Sequence, residues 1–283
     1  MKIRVLLLVI ALSTGLLATA QVTTNVLRRV LLIRVGDMLG TAFTIDIDGR
    51  QYLLTAKHVV EGLKDEDVIR VRKDRGWSTL HVKVLRCKDP VDIAVLIPPV
   101  QMTVNYPLDA NVGGVMVGAE AFFVGFPYGF EAGWSRNGHY PLGLTKKATI
   151  AQFTDGPDSR VVEAILLDGY NNPGFSGSPV VIRDIDQASR PYKVVAVVSS
   201  FRFEAAPVLK TEEVTIQQVT DEDVKKSRIM EHNGHLYRVL RETGDFVKLN
   251  TGIATAYSIN PAIDLIRRNP VGPKSANDFD TKP

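Results

Sequence analysis

One cysteine, Cys87, occurs in 283 residues. No intramolecular disulfide can form, so the fold must rest on its apolar core. Charge of one sign is also scarce. Of 34 basic residues, Lys2 and Arg4 belong to the leader-like start considered below, and setting those two aside leaves 32 against 31 acidic residues. The pairs Arg28-Arg29, Lys146-Lys147 and Arg267-Arg268 are scattered rather than gathered into a stripe, so nucleic acid is not an expected partner. Metal-ligand patterns are thin. His232-Asn-Gly-His235 lacks a Glu beside its first histidine, and Gly234 favours a turn over the helix that a zinc peptidase motif needs, so no metal is expected. His81 falls in a strand pattern and His139 in a loop, and both read as structural or surface residues.

What is present begins with the amino terminus. Lys2 and Arg4 precede an apolar run from Val5 to Leu17, and Ala18-Thr19-Ala20 forms an A-x-A pattern. Residues 1–20 read as a secretory signal peptide cut before Gln21. The alternative is an uncleaved anchor, but the run is shorter than the about 20 residues that span a bilayer. The expected setting is secreted or periplasmic, with no stable membrane insertion after cleavage. The 45% hydrophobic content suits a globular chain with a sizeable core.

Short alternating or β-branched runs, broken by Gly, Asp and charged turns, fill the rest of the chain. Val30 to Val35, Leu39 to Asp46, Gln51 to Ala56, Val68 to Lys73, Leu80 to Arg86 and Asp92 to Ile97 form one set. After a connection holding Pro98, Pro99 and Pro107, a second set follows: Ala121 to Gly125, Lys147 to Phe153, Val161 to Asp168, Ser178 to Arg183, Tyr192 to Ser200 and Phe246 to Thr255. Two groups of about six strands without intervening helices predict an all-β fold of two tandem six-stranded antiparallel barrels, the first over about 26–105 and the second over about 115–268. A helix capped by Asn260, with Pro261 in its first turn, closes the second barrel. Residues 203–245 read as a polar insertion of unassigned function, a surface hairpin or lid. Residues 269–283 have little to bury and read as a mobile tail.

Three motifs carry chemistry. Leu53-Leu54-Thr55-Ala56-Lys57-His58 puts a histidine just after a strand, Asp89-Pro90-Val91-Asp92-Ile93-Ala94 puts an aspartate at the head of another, and Pro173-Gly174-Phe175-Ser176-Gly177-Ser178 puts a serine between glycines. A serine hydroxyl needs a base to take its proton as it attacks a carbonyl, and imidazole titrates in the right range. His58 is the candidate base and Ser176 the candidate nucleophile. A carboxylate that holds one imidazole tautomer and stabilises the imidazolium completes the set; Asp92 suits this better than its competitor Asp89, because an apolar run follows it directly. The oxyanion formed on attack calls for converging N–H groups, worth about 3 to 4 kcal/mol each. Gly174 permits a tight loop presenting its own N–H and that of Ser176.

In identity, order and separation these motifs resemble those of the trypsin-like serine peptidases, most of all the bacterial HtrA-like and glutamyl-endopeptidase-like branches, over about residues 30–268. The resemblance implies the paired barrels with the site between them, a polypeptide substrate, no cofactor, and His58, Asp92 and Ser176 as catalytic residues. It places Tyr170 at the base of the primary specificity pocket, neither acidic nor small, which disfavours a Lys or Arg preference. Ser199 matches the segment that pairs with substrate backbone, or else reaches Asp92. Ser178 reads as packing, and Gly125-Phe126-Pro127 as a structural turn near the cleft. Position 175 is Phe where many relatives carry an acid that pairs with a newly cut amino terminus, so that mode of activation is not expected. The residues after the last helix are too few for the peptide-binding domain common in the HtrA-like branch. Oligomeric state is not legible. A catalytically silent module of the same fold that binds polypeptide is the alternative function; an esterase on a parallel α/β sheet fits the strand pattern less well.

Overall fold

The structure, a computed structural model, describes residues 22–74, 76–104, 108–131, 133–134, 140–155, 162–184 and 192–276. The expected signal peptide, Pro107 and His139 lie outside these residues. The first six strands are β1 (Val30–Val35), β2 (Met38–Ile47), β3 (Arg50–Thr55), β4 (Glu66–Lys73), β5 (Gly76–Arg86) and β6 (Ala94–Ile97), after a single helical turn α1 (Thr24–Leu27). They close into a barrel in the order β1-β2-β3-β6-β5-β4. The β2–β3 hairpin turns on Asp48 and Gly49, at φ of 50° and 72°. A two-residue turn with both centres left-handed matches the twist of the strands it joins.

The remaining strands are β7 (Asp109–Ala110), β8 (Glu120–Gly125), β9 (Gly133–Trp134), β10 (Pro141–Leu142), β11 (Leu144–Asp155), β12 (Val162–Asp168), β13 (Pro179–Arg183), β14 (Tyr192–Val214), β15 (Ile229–His232) and β16 (His235–Ser258). Apart from the small β9–β10 pair, they make one sheet ordered β15-β16-β12-β11-β8-β13-β14-β7. An added β14–β16 pairing joins β8, β11, β12, β16, β14 and β13 in a cycle. Taken in chain order, that cycle repeats the connectivity of the first barrel.

Period-two alternation sorts the apolar side chains into layers. Leu31, Ile33, Leu53, Ile69, Val71, Val82, Val84 and Leu96 fill the first barrel. Phe123, Ile150, Ile165, Leu167, Val180, Val198 and Ala254 form the corresponding core of the second sheet. The opposite faces of the same strands, with Phe43, Ile45, Leu54, Phe122, Val124 and Val197, meet in a third cluster that also takes Ile263 and Ile266. Those two belong to α2 (Asp221–Lys225)'s longer successor, α3 (Asn260–Arg268). Its cap position is Ile259, not the expected Asn260, and Pro261 lies in its first turn.

The segment after α3 is not the free tail its composition predicts. Gln51 N–H donates to Pro273 O at 2.9 Å, Ser275 N–H to Gly49 O at 2.9 Å, and Ala276 N–H to Gln101 Oε1 at 2.8 Å. Backbone groups of Gly49 and Gln51 and the Gln101 side chain supply partners that a count of apolar residues does not register; residues 277–283 lie outside those described.

The chain divides into two compact units, 1–200 with 253–283, and 201–252. The second comprises the outer parts of β14 and β16, the short helix α2 and the β15–β16 hairpin, which turns on Asn233 and Gly234 at φ of 52° and 79°. Both long strands run well past the expected ends at Ser200 and before Phe246. Within this unit Arg238 donates to Glu212 Oε1 at 2.6 Å and to Asp223 Oδ2 at 3.1 Å, and Thr220 and Asp223 cap α2 reciprocally. His232 and His235 face each other across the hairpin, and His235 Nδ1 lies 2.7 Å from Glu213 Oε1.

Candidate active site

His58 sits on the 3₁₀ turn Lys57–Val60 directly after β3, where Ala56, Val59 and Val60 are buried and fix the turn on either side of it. Its imidazole Nδ1 lies 2.7 Å from Asp92 Oδ2, and its backbone N–H donates to Asp92 Oδ1 at 2.9 Å. One carboxylate thus holds the ring and the backbone of the same residue. With Nδ1–H donating to the carboxylate, Nε2 carries the lone pair. Ser199 Oγ donates to Asp92 Oδ2 at 2.5 Å. Burial pushes the Asp92 carboxyl upward, but hydrogen bonds from His58 and Ser199, with the imidazole charge, outweigh it and hold the pKa below the ordinary carboxylate value. Asp89 is fully exposed and pairs with Lys57 Nζ at 2.5 Å; the structure therefore brings Asp92, not Asp89, to His58.

Ser176 stands on the turn entering β13. Its Oγ donates to Ser199 O at 3.0 Å, so Ser199 touches both Asp92 and Ser176. Among the described residues no hydrogen bond joins Ser176 Oγ to the imidazole. Gly174 has φ of +100°, and a Cβ there would lie 2.3 Å from Phe126 O and 2.8 Å from Tyr128 N. Gly177 has φ of +88°, and its Cβ would meet Thr41 O at 2.0 Å. Both positions require glycine, for conformation and for space. Between them Phe175 is buried and packs edge-on against Phe123, with ring centroids 4.9 Å apart.

The hydrogen bonds of this turn are sorted by kind. Pro173 O accepts from Tyr128 N–H at 2.7 Å, Gly174 O from Thr41 Oγ1 at 2.7 Å, Ser176 O from Thr41 N–H at 2.9 Å, and Asn172 O and Phe175 O from Phe175 and Ser178 N–H. The N–H groups of Gly174 and Ser176 have no acceptor among the described residues. An unpaired pair of N–H groups flanking a serine is what an oxyanion requires. Thr41 fastens this arrangement: it is fully buried, its Oγ1 also accepts from Phe126 N–H at 3.0 Å, and its carbonyl accepts from Thr55 Oγ1 at 2.7 Å. A hydroxyl residue within the apolar run Leu39-Gly40-Thr41-Ala42-Phe43 is its sole trace in the sequence.

Tyr170, expected at the base of a specificity pocket, has its side chain exposed, and its carbonyl accepts from Lys146 Nζ at 2.9 Å. Lys146 Nζ also donates to Asn172 Oδ1 at 2.8 Å, and burial lowers its pKa. Neither contact was anticipated. Asn171 is buried and donates to Ser200 O at 3.0 Å. The Gly125 turn lies against the site as expected, since a Cβ there would meet Ser178 Oγ at 2.1 Å. A cleft of about 610 Å³ opens beside the imidazole, with Lys57, His58, Arg86, Cys87 and Asp92 among its walls. Burial pushes the Cys87 thiol up to about 11, which keeps it protonated and leaves it a poor rival nucleophile.

The model of the trypsin-like peptidase domain matches residues 40–187, just over half of the chain and inclusive of His58, Asp92 and Ser176. The chain belongs to the trypsin-like serine peptidases. Solved structures similar to this peptidase include the Rv3671c protease of M. tuberculosis H37Rv in an inactive form, at 17% identity over 86% of this chain and 90% of that one, TM-score 0.47. The HtrA-type protease AlgW with a tripeptide matches at 17% identity, 85% of this chain and 60% of its own, TM-score 0.46. Deg5 matches at 20%, 62% and 80%, TM-score 0.45. No curated protein matches the peptidase in sequence.

Proposed function

We propose that this peptidase cleaves polypeptides outside the cytoplasm, in a periplasm or after secretion, through an acyl-enzyme on Ser176. His58 Nε2 takes the Ser176 proton as Oγ attacks the substrate carbonyl, then passes it to the leaving amine; water repeats the sequence to release the acyl group. Asp92 orients the imidazole and stabilises its charged form. The N–H groups of Gly174 and Ser176 receive the oxyanion, and no cofactor is called for. The observation that carries this reading is the continuous line His58–Asp92–Ser199–Ser176, with contacts of 2.7, 2.5 and 3.0 Å, beside two unpaired N–H groups. The extracytoplasmic setting is supported by the leader-like sequence of residues 1–20 alone.

The Ser176 hydroxyl bonds to Ser199 O, and attack requires that it leave this bond for a staggered position within reach of the imidazole. That bond is also the observation favouring the second reading, a peptidase fold that binds polypeptide without cleaving it. A fluorophosphonate probe separates them. Labelling of the full chain but not of its Ser176→Ala variant supports the nucleophile; a folded, unlabelled parent leaves the binding module.

A further inference from the structure

The loop from Tyr170 to Ser176 carries both N–H groups assigned to the oxyanion, and the carbonyls of Tyr170 and of Asn172 to Ser176 all accept hydrogen bonds. A released carbonyl can rotate toward the space those N–H groups face and close it. Most fasteners are backbone groups or the buried Thr41 hydroxyl. One is a cation from a different strand. Lys146, on β11, reaches Tyr170 O and Asn172 Oδ1 with one ammonium, which also lies 5.5 Å from the Phe175 ring centroid. Three residues of the loop, on either side of Gly174, are thus gathered on one charge. Phe175 offers no carboxylate, so the contact to it is with the ring face, which attracts a cation by its quadrupole.

We propose that Lys146 is a positioning residue of this peptidase: its ammonium pins the Tyr170–Phe175 loop and so keeps the Gly174 and Ser176 N–H groups open to the oxyanion. The inference rests on reading Ser176 as the nucleophile. Lys146 touches neither Ser176 nor His58 and acts only through the loop. Its neighbour Lys147 pairs instead with Glu120, so the two lysines of the pair serve different ends.

The test uses the full chain and the variants Lys146→Met, which keeps the stem and removes the charge, Lys146→Ala, Lys146→Arg and Asn172→Ala. Fluorophosphonate labelling rate and hydrolysis of a fluorogenic peptide series are read together with Tm. The expected result for Lys146→Met is a labelling rate and kcat lower by roughly 10- to 100-fold with KM nearly unchanged, a deficit smaller than the loss of a whole oxyanion donor. Partial rescue by propylammonium added to Lys146→Ala, partial retention in Lys146→Arg, and a smaller loss in Asn172→Ala complete the pattern. Asn172→Ala keeps the test in force should a Lys146 variant fail to fold. Labelling of Lys146→Met at the parent rate overturns the proposal alone, as does a change in side-chain preference in place of a uniform fall. An unlabelled parent overturns the nucleophile reading and this proposal with it.

Discussion

The two halves of the candidate site are held by different means. His58 is fixed by one carboxylate that grips its ring and its backbone, on a turn whose neighbours are buried apolar residues. Ser176 is fixed by no single partner. Its loop is held through backbone carbonyls taken up by Thr41, Tyr128 and Lys146, and through Phe175 sunk into the core. The imidazole must be aimed and also electrostatically supported, which a charged group does at close range. An oxyanion site must present bare N–H groups, and a loop whose carbonyls at Tyr170 and at Asn172 to Ser176 already accept hydrogen bonds is held in a form that presents them. Damage to the first half should therefore be abrupt, and damage to the second graded.

Asp92→Asn gives the largest expected effect on that contrast, a loss of about 10⁴-fold in kcat from the wrong imidazole tautomer, measured on a fluorogenic peptide. The same substitution has a pH signature. A carboxyl held below its ordinary value contributes stability that is present above that value, about 3.9, and is lost as pH falls through the lowered one. The Tm difference between parent and Asp92→Asn should accordingly narrow in acid. Thr41→Val comes next. It leaves Gly174 O without a donor and Phe126 N–H without an acceptor, at about 1 to 3 kcal/mol each, so Tm should fall and labelling should slow by a smaller factor than in Asp92→Asn. Equal losses in the two variants would dissolve the distinction between the halves. The smallest effect is expected in the second unit. Thr251 Oγ1 donates to Arg202 O at 3.0 Å, so a two-residue turn joining Arg202 to Thr251 should leave the labelling rate within about threefold of the parent.

That asymmetry also explains what was legible. His58 is one of only five histidines, Asp92 and Ser176 stand in distinctive surroundings, and the physical demands on a serine nucleophile make the three candidates; the structure brings His58 to Asp92, with Ser199 between Asp92 and Ser176. The strands of the first set could be read because alternation follows from burial on one face. Thr41 and Lys146 could not, because their work is to bind carbonyl groups on a loop more than twenty residues away in sequence, and a carbonyl leaves no mark on the residue that carries it. The long strands β14 and β16 went past their expected ends for a related reason: backbone pairing sustains a ribbon whose side chains are mostly exposed, and no apolar pattern announces it. The hold on residues 273–276 is equally silent in the sequence, since it runs through backbone groups of Gly49 and Gln51 and the Gln101 side chain.

The most direct test is the structure of the phosphonylated enzyme. The account predicts a phosphorus atom bonded to Ser176 Oγ, its free oxygen accepting hydrogen bonds from Gly174 and Ser176 N–H, with the His58–Asp92 contact intact. A phosphonyl group on another residue, or one on Ser176 whose oxygen turns away from those two N–H groups, would contradict it.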